Sequence, residues 1–123
     1  MTLVFVGIAL AFAAAAGGLT LVALLLSRHR APRALLYAHP IVGIAGLACL
    51  WVAVALWQGP RDLPFDAGAL VLTFALFGGV LLFSLRSSRL PRPFFAVALH
   101  GLVALFGCAL LVIGLLHVPP GAG

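Results

Sequence analysis

The sequence predicts an all-α membrane protein, a four-transmembrane-helix bundle with both termini outside, and three observations carry that prediction. Of 123 residues, 65% are hydrophobic and 7% are charged, whereas soluble domains carry roughly 25% charged residues. The apolar residues gather into four stretches, approximately 2–27, 34–58, 66–85 and 93–117, each long enough to cross about 30 Å of hydrocarbon. All seven basic residues are arginines, and six of them stand in two of the three short connections.

The first stretch contains "AFAAAAGG", which has the small-residue character of a secretion-signal cleavage site. It lacks a basic start and its apolar run continues through Leu26, so it is expected to remain as an uncleaved helix. The connection after it, "RHRAPR", holds Arg28, Arg30 and Arg33. The second stretch opens on "AHPIVGIAG" and ends near Trp57 and Gln58, where "QGPRDLPFDAG" sets Arg61 beside Asp62 and Asp66. The third stretch leads to "RSSRLPR", with Arg86, Arg89 and Arg92, and the fourth, which includes "ALHGLVALFG", stops at "VPPGAG". Backbone amides in hydrocarbon must bond within their own segment, so all four stretches are helices of a single membrane domain, 1–123.

Arginines favour the cytoplasmic side, which puts both arginine connections inside and the aspartate-bearing one outside. The membrane expected from this pattern is a bacterial cytoplasmic membrane. The net charge of +5 is then topology and lipid-headgroup contact. It is not a nucleic-acid footprint, because no stretch interleaves basic with aromatic residues. Too little chain lies outside the helices for a soluble catalytic domain, and no nucleophilic, hydrolytic or phosphate-binding motif is present. A redox carrier or redox subunit is expected before an enzyme. Cys49 and Cys108 fall near the middle of the second and fourth helices and read as small apolar packing residues.

The two halves share an order of features. Gly17-Gly18, then "RAPR", then His39 in the first half match Gly78-Gly79, "RLPR" and His100 in the second, with a two-residue shift between loop and histidine. Each histidine begins His-x-x-x-small-x-x-Gly, through Gly43 and Gly46 in one case and Ala104 and Gly107 in the other. This predicts two helical hairpins of the same orientation related by a pseudo-two-fold axis along the membrane normal, with His39 and His100 facing each other. Counted from the loop arginines, the histidines lie roughly 9 and 12 Å into their helices. The small residues four and seven positions on share each histidine's face and are expected to leave a shallow trough beneath the imidazole.

Polar side chains in hydrocarbon are costly and point into the bundle. A protein-only zinc site would need further ligands, and the cysteines lie more than about 10 Å along the axis from the histidines. A haem supplies four nitrogens of its own and leaves two axial positions for two histidines. Its propionates would meet Arg33 and Arg92, backed by Arg30 and Arg89, and its edges Tyr37, Phe94 and Phe95. His29 and His117 are expected at the membrane surfaces, with Trp51 and Trp57 at interface positions.

The segments "AHPIVGIAG" and "ALHGLVALFG" resemble ligand helices of membrane cytochromes b of the b561 type, over roughly 45 residues of the second and fourth helices. That family holds two haems through four histidines, and here one intramembrane pair stands. The resemblance implies one low-spin haem b, and electron exchange with a quinol, a small reductant or a neighbouring redox subunit. Bacteriochlorophyll is the lesser cofactor alternative. The competing functions are a cofactor-free accessory subunit of a larger membrane complex and, less well supported, a small channel or transporter. Proton-coupled export needs a membrane-embedded carboxylate, and none is expected inside any helix, both aspartates being read into the outer connection. Lipids are the expected surroundings, with a homo-oligomer or a larger complex as the expected assembly.

Overall fold

The computed structural model describes residues 2–57, 63–87 and 94–117. It contains four helices: α1 (Thr2–Leu26), α2 (Arg33–Leu56), α3 (Leu63–Ser87) and α4 (Phe94–His117). All four are long and apolar enough to span a membrane. At 1.5 Å per residue the 25 residues of α1 and α3 reach roughly 37 Å. The third helix starts three residues earlier than the apolar run predicts, because Pro64 fits the first turn, where its missing N–H has no intrahelical partner. Four helices with apolar outer faces make this an integral membrane protein whose surroundings are lipid.

Helix ends follow local chemistry. At the end of α1, His29 N–H donates to Leu24 O (2.9 Å) and Arg28 N–H to Leu25 O (3.2 Å), the paired bonds of a Schellman cap. Arg28 occupies the left-handed position of that cap, at φ 57°, where glycine is the usual residue. Pro32 precedes α2 in an extended conformation and accepts from Leu36 N–H (3.2 Å). Within α2, Pro40 offers no N–H to the carbonyl four residues back, yet the helix runs on to Leu56.

Packing is closest within the hairpins, α1 on α2 and α3 on α4, and lighter between α1 and α4 and between α2 and α3. Helices α2 and α4 therefore stand on one diagonal of the bundle. Buried positions recur every three or four residues along α1, at Val4, Gly7, Ile8, Ala11 and Ala14, the spacing of one helix stripe. The core repeats at an interval of 61 residues. Gly7, Ile8 and Ala14 correspond to Gly68, Ala69 and Ala75, and Gly46, Leu47, Leu50 and Ala53 to Gly107, Cys108, Leu111 and Gly114, all of them buried. The two largest fully buried side chains, Leu50 and Leu111, are one such pair. No polar or charged residue is fully buried among the described residues.

Glycines set the helix separation inside each hairpin. A Cβ on Gly46 would stand 2.9 Å from Leu10 Cβ, 3.1 Å from Ala11 N and 3.2 Å from Gly7 O, so the α1 and α2 backbones nearly touch. Gly68 and Gly107 make the equivalent crossing of α3 and α4, where a Cβ on Gly68 would lie 3.1 Å from Gly107 O. In hydrocarbon, with no hydrophobic drive between helices, such close approach supplies the dispersion contacts that hold helices together.

Candidate site at the His39 and His100 pair

His39 is the seventh residue of α2 and His100 the seventh of α4. Both therefore lie about 9 Å up from the helix start, at matching depth. Their imidazole centres are 6.2 Å apart and their planes are inclined by 88°. Each ring is also fixed to the other helix of its own hairpin. His39 Nδ1 lies 2.9 Å from Ala14 O on α1, and His100 Nδ1 lies 2.9 Å from Ala75 O on α3. A carbonyl oxygen only accepts, so in the neutral ring Nδ1 carries the proton and donates. Nε2 is left in each ring with its lone pair. This is the arrangement by which proteins orient an imidazole that binds through Nε2.

The double glycines pass directly beneath these rings. A Cβ on Gly18 would come 3.1 Å from His39 Cε1, and one on Gly79 would come 3.1 Å from His100 Cε1. In the sequence Gly17-Gly18 and Gly78-Gly79 mark the repeat. The structure gives them a task, making room for an imidazole from the neighbouring helix.

The small residues after each histidine stand elsewhere. A Cβ on Gly43 would meet Ala14 Cβ at 3.7 Å, and Gly46 faces Gly7, Leu10 and Ala11. Gly107 faces Gly68 and Leu72 in the same way, and Ala104 is half-buried. The trough expected beneath each imidazole is thus filled by the other helix of the same hairpin, because the face these residues share is the one that closes the hairpin. Arg33 is the first residue of α2 and is exposed, and Arg30 is exposed before it. Arg92 and Arg89 lie outside the described residues. Tyr37 packs edge-on against Phe83, ring centres 6.1 Å apart, while Phe94 and Phe95 are exposed.

The remaining polar side chains lie apart from the pair. Trp51 donates from Nε1 to Thr73 Oγ1 (3.0 Å), joining α2 to α3, and Thr73 donates in turn to Ala69 O. Sequence reading placed Trp51 at an interface and missed this bond, whose partner becomes evident only once α2 and α3 are neighbours. His117 is exposed, with Nδ1 2.7 Å from Ile113 O of its own helix. Cys49 and Cys108 are free thiols, and Cys108 is part of the apolar core.

Imidazole nitrogens bind first-row metal ions at about 2.0–2.1 Å, so two rings on opposite sides of one ion have centres roughly 6 Å apart. The observed separation of 6.2 Å is close to that figure. The described residues contain no group of three or more histidine, cysteine or acidic side chains able to hold a bare metal ion. A metal that brings its own equatorial ligands fits this pair better than a protein-ligated one. Comparison with known proteins finds no matching family model, no matching characterised relative and no matching solved structure.

Proposed function

We propose that the protein is a small membrane cytochrome b in which His39 on α2 and His100 on α4 would hold one haem b. The observation that carries this reading is the cross-bundle histidine pair, 6.2 Å between ring centres, with each Nδ1 bonded to a backbone carbonyl. A haem held there supplies a one-electron Fe(III)/Fe(II) couple inside the hydrocarbon region. The chain contributes two imidazoles, each oriented by its Nδ1 bond to a backbone carbonyl. It also contributes the arginines at the helix starts, Arg33 and Arg92 with Arg30 and Arg89, as partners for the propionates.

The resemblance of "AHPIVGIAG" and "ALHGLVALFG" to b561-type ligand helices supports the same reading. In this proposal the electron donor or acceptor is a quinol or a redox protein, and the chain works as a homo-oligomer or as a subunit of a larger complex. The membrane is the bacterial cytoplasmic membrane, with both arginine connections inside and both termini outside, supported by the placement of six of the seven arginines.

Reduced-minus-oxidised absorption spectra of the purified protein test the assignment. Sharp low-spin b-type bands are expected, lost or converted to a high-spin form in both His39→Ala and His100→Ala. A folded protein that stays colourless after expression with ample haem would overturn it and leave the histidines as structural contacts in an accessory subunit.

A further inference from the structure

Each imidazole meets a carbonyl that a helix ordinarily keeps to itself. In α1, Ala14 O is the acceptor for the N–H of residue 18, and in α3, Ala75 O is the acceptor for that of residue 79. A carbonyl has a second lone pair, and here an imidazole from the neighbouring helix reaches it over Gly18 in α1 and Gly79 in α3. The pattern Ala-x-x-Gly-Gly followed 21 residues later by histidine occurs once in each half, as Ala14 to His39 and Ala75 to His100.

We propose that Gly18 and Gly79 are positioning residues that uncover the Ala14 and Ala75 carbonyls, and so fix His39 and His100 in the tautomer protonated on Nδ1 and open on Nε2. The two glycines of each pair differ in a way that sharpens this. A Cβ on Gly18 would stand 3.1 Å from His39 Cε1 and 3.6 Å from Nδ1, tight enough to displace the ring. On Gly17 it would make ordinary contacts, 3.7 Å to His39 Cβ and 3.8 Å to Nδ1. The second hairpin repeats the contrast, with 3.1 Å from Gly79 to His100 Cε1 and 3.7 Å from Gly78 to Nδ1. A methyl group on the second glycine of each pair therefore presses on the ring, whereas one on the first makes ordinary contact. The inference rests on the haem reading for the use made of Nε2, while the tautomer itself is set by the apoprotein.

The test is 15N NMR of the haem-free full-length protein labelled at histidine, at a pH where the rings are neutral, with resonances assigned through His39→Ala and His100→Ala. Both histidines are expected to show a protonated Nδ1 and a pyridine-like Nε2. Gly18→Ala is expected to convert His39 alone toward the Nε2-protonated form, which free neutral histidine prefers, and Gly79→Ala to convert His100 alone. Gly17→Ala and Gly78→Ala are expected to convert neither. Haem affinity should fall about 10–100-fold in Gly18→Ala and Gly79→Ala, the usual effect of losing a partner that orients a ligand, and stay unchanged in the two controls. Nε2-protonated histidines in the wild type would overturn the inference even if every glycine variant failed to fold. The same holds for tautomers indifferent to Gly18→Ala in a folded protein. Correct tautomers in a protein that never binds haem would uphold this inference and overturn the cytochrome reading.

Discussion

The N-terminal hairpin, α1 and α2, and the C-terminal hairpin, α3 and α4, hold the same backbone arrangement with different side-chain volumes. Where the first has Val4 and Ala53, the second has Phe65 and Gly114; where the first has Ala11 and Leu47, the second has Leu72 and Cys108. A larger residue on one helix stands beside a smaller one on the other, as close packing at fixed helix separation requires. Among the residues that do not change are Gly7/Gly68, Ala14/Ala75, Gly17/Gly78, Gly18/Gly79, His39/His100, Gly46/Gly107 and Leu50/Leu111. These residues either set the helix crossing or build the histidine site. Both hairpins thus keep the crossing and the imidazole clamp while several of their core side chains differ.

The largest effect that tests this equivalence comes from the histidines. His39→Ala and His100→Ala should abolish low-spin haem binding equally, and haem titration of each purified variant measures it. A variant that kept a low-spin spectrum would show that one half supplies the site without the other.

Next come the glycine crossings, where the hairpins differ. A methyl on Gly114 would lie 2.7 Å from Phe65 N and 2.8 Å from its Cα, and one on Gly68 would lie 2.9 Å from Leu111 N, so backbone must move in both cases. Each substitution to alanine should cost about 1–3 kcal/mol, the usual penalty for overpacking. Gly7→Ala should cost less than Gly68→Ala, because its two nearest neighbours are Leu50 Cγ and Cδ2, at 2.8 and 2.9 Å, and a side chain can rotate away. Unfolding in mixed detergent micelles gives the order, and equal losses at Gly7 and Gly68 would contradict the distinction.

The smallest effect concerns a polar contact between helices that the other hairpin pairing does not repeat. Trp51 and Thr73 join α2 to α3, while their equivalents by the 61-residue interval are Val112 and Phe12, which form no such hydrogen bond. Trp51→Phe should lower stability by about 0.6 kcal/mol, the average for interhelical hydrogen bonds in a membrane. The histidine ring geometry should be unaffected, and the tautomer spectra check that.

Much of this was legible in the sequence because lipid imposes simple rules. Apolar length gave four helices, and two histidines stood out because an imidazole is conspicuous in an apolar run. The repeat was visible in the loops, at "RAPR" and "RLPR", but those motifs are 59 residues apart and the helices repeat at 61. Ser27-Arg28 with Ser88-Arg89, and Pro32 with Pro93, carry the 61-residue interval and align the loops with the helices. Less legible was the direction in which Gly43 and Gly46 face. Helical period fixes a shared face and leaves open which neighbour meets it. The Ala14 and Ala75 carbonyls were hidden for a different reason: they are backbone atoms, and one of the two residues lies in a run of four alanines with nothing to mark it.

The most direct test of the central claim is low-temperature electron paramagnetic resonance of the oxidised, haem-loaded protein. If His39 and His100 keep their 88° inclination when they hold a haem, the protein would give a single, highly anisotropic low-spin ferric signal with a large maximum g value, the mark of perpendicular ligand planes. A high-spin ferric signal, or no haem signal from a folded protein supplied with haem, would contradict the account.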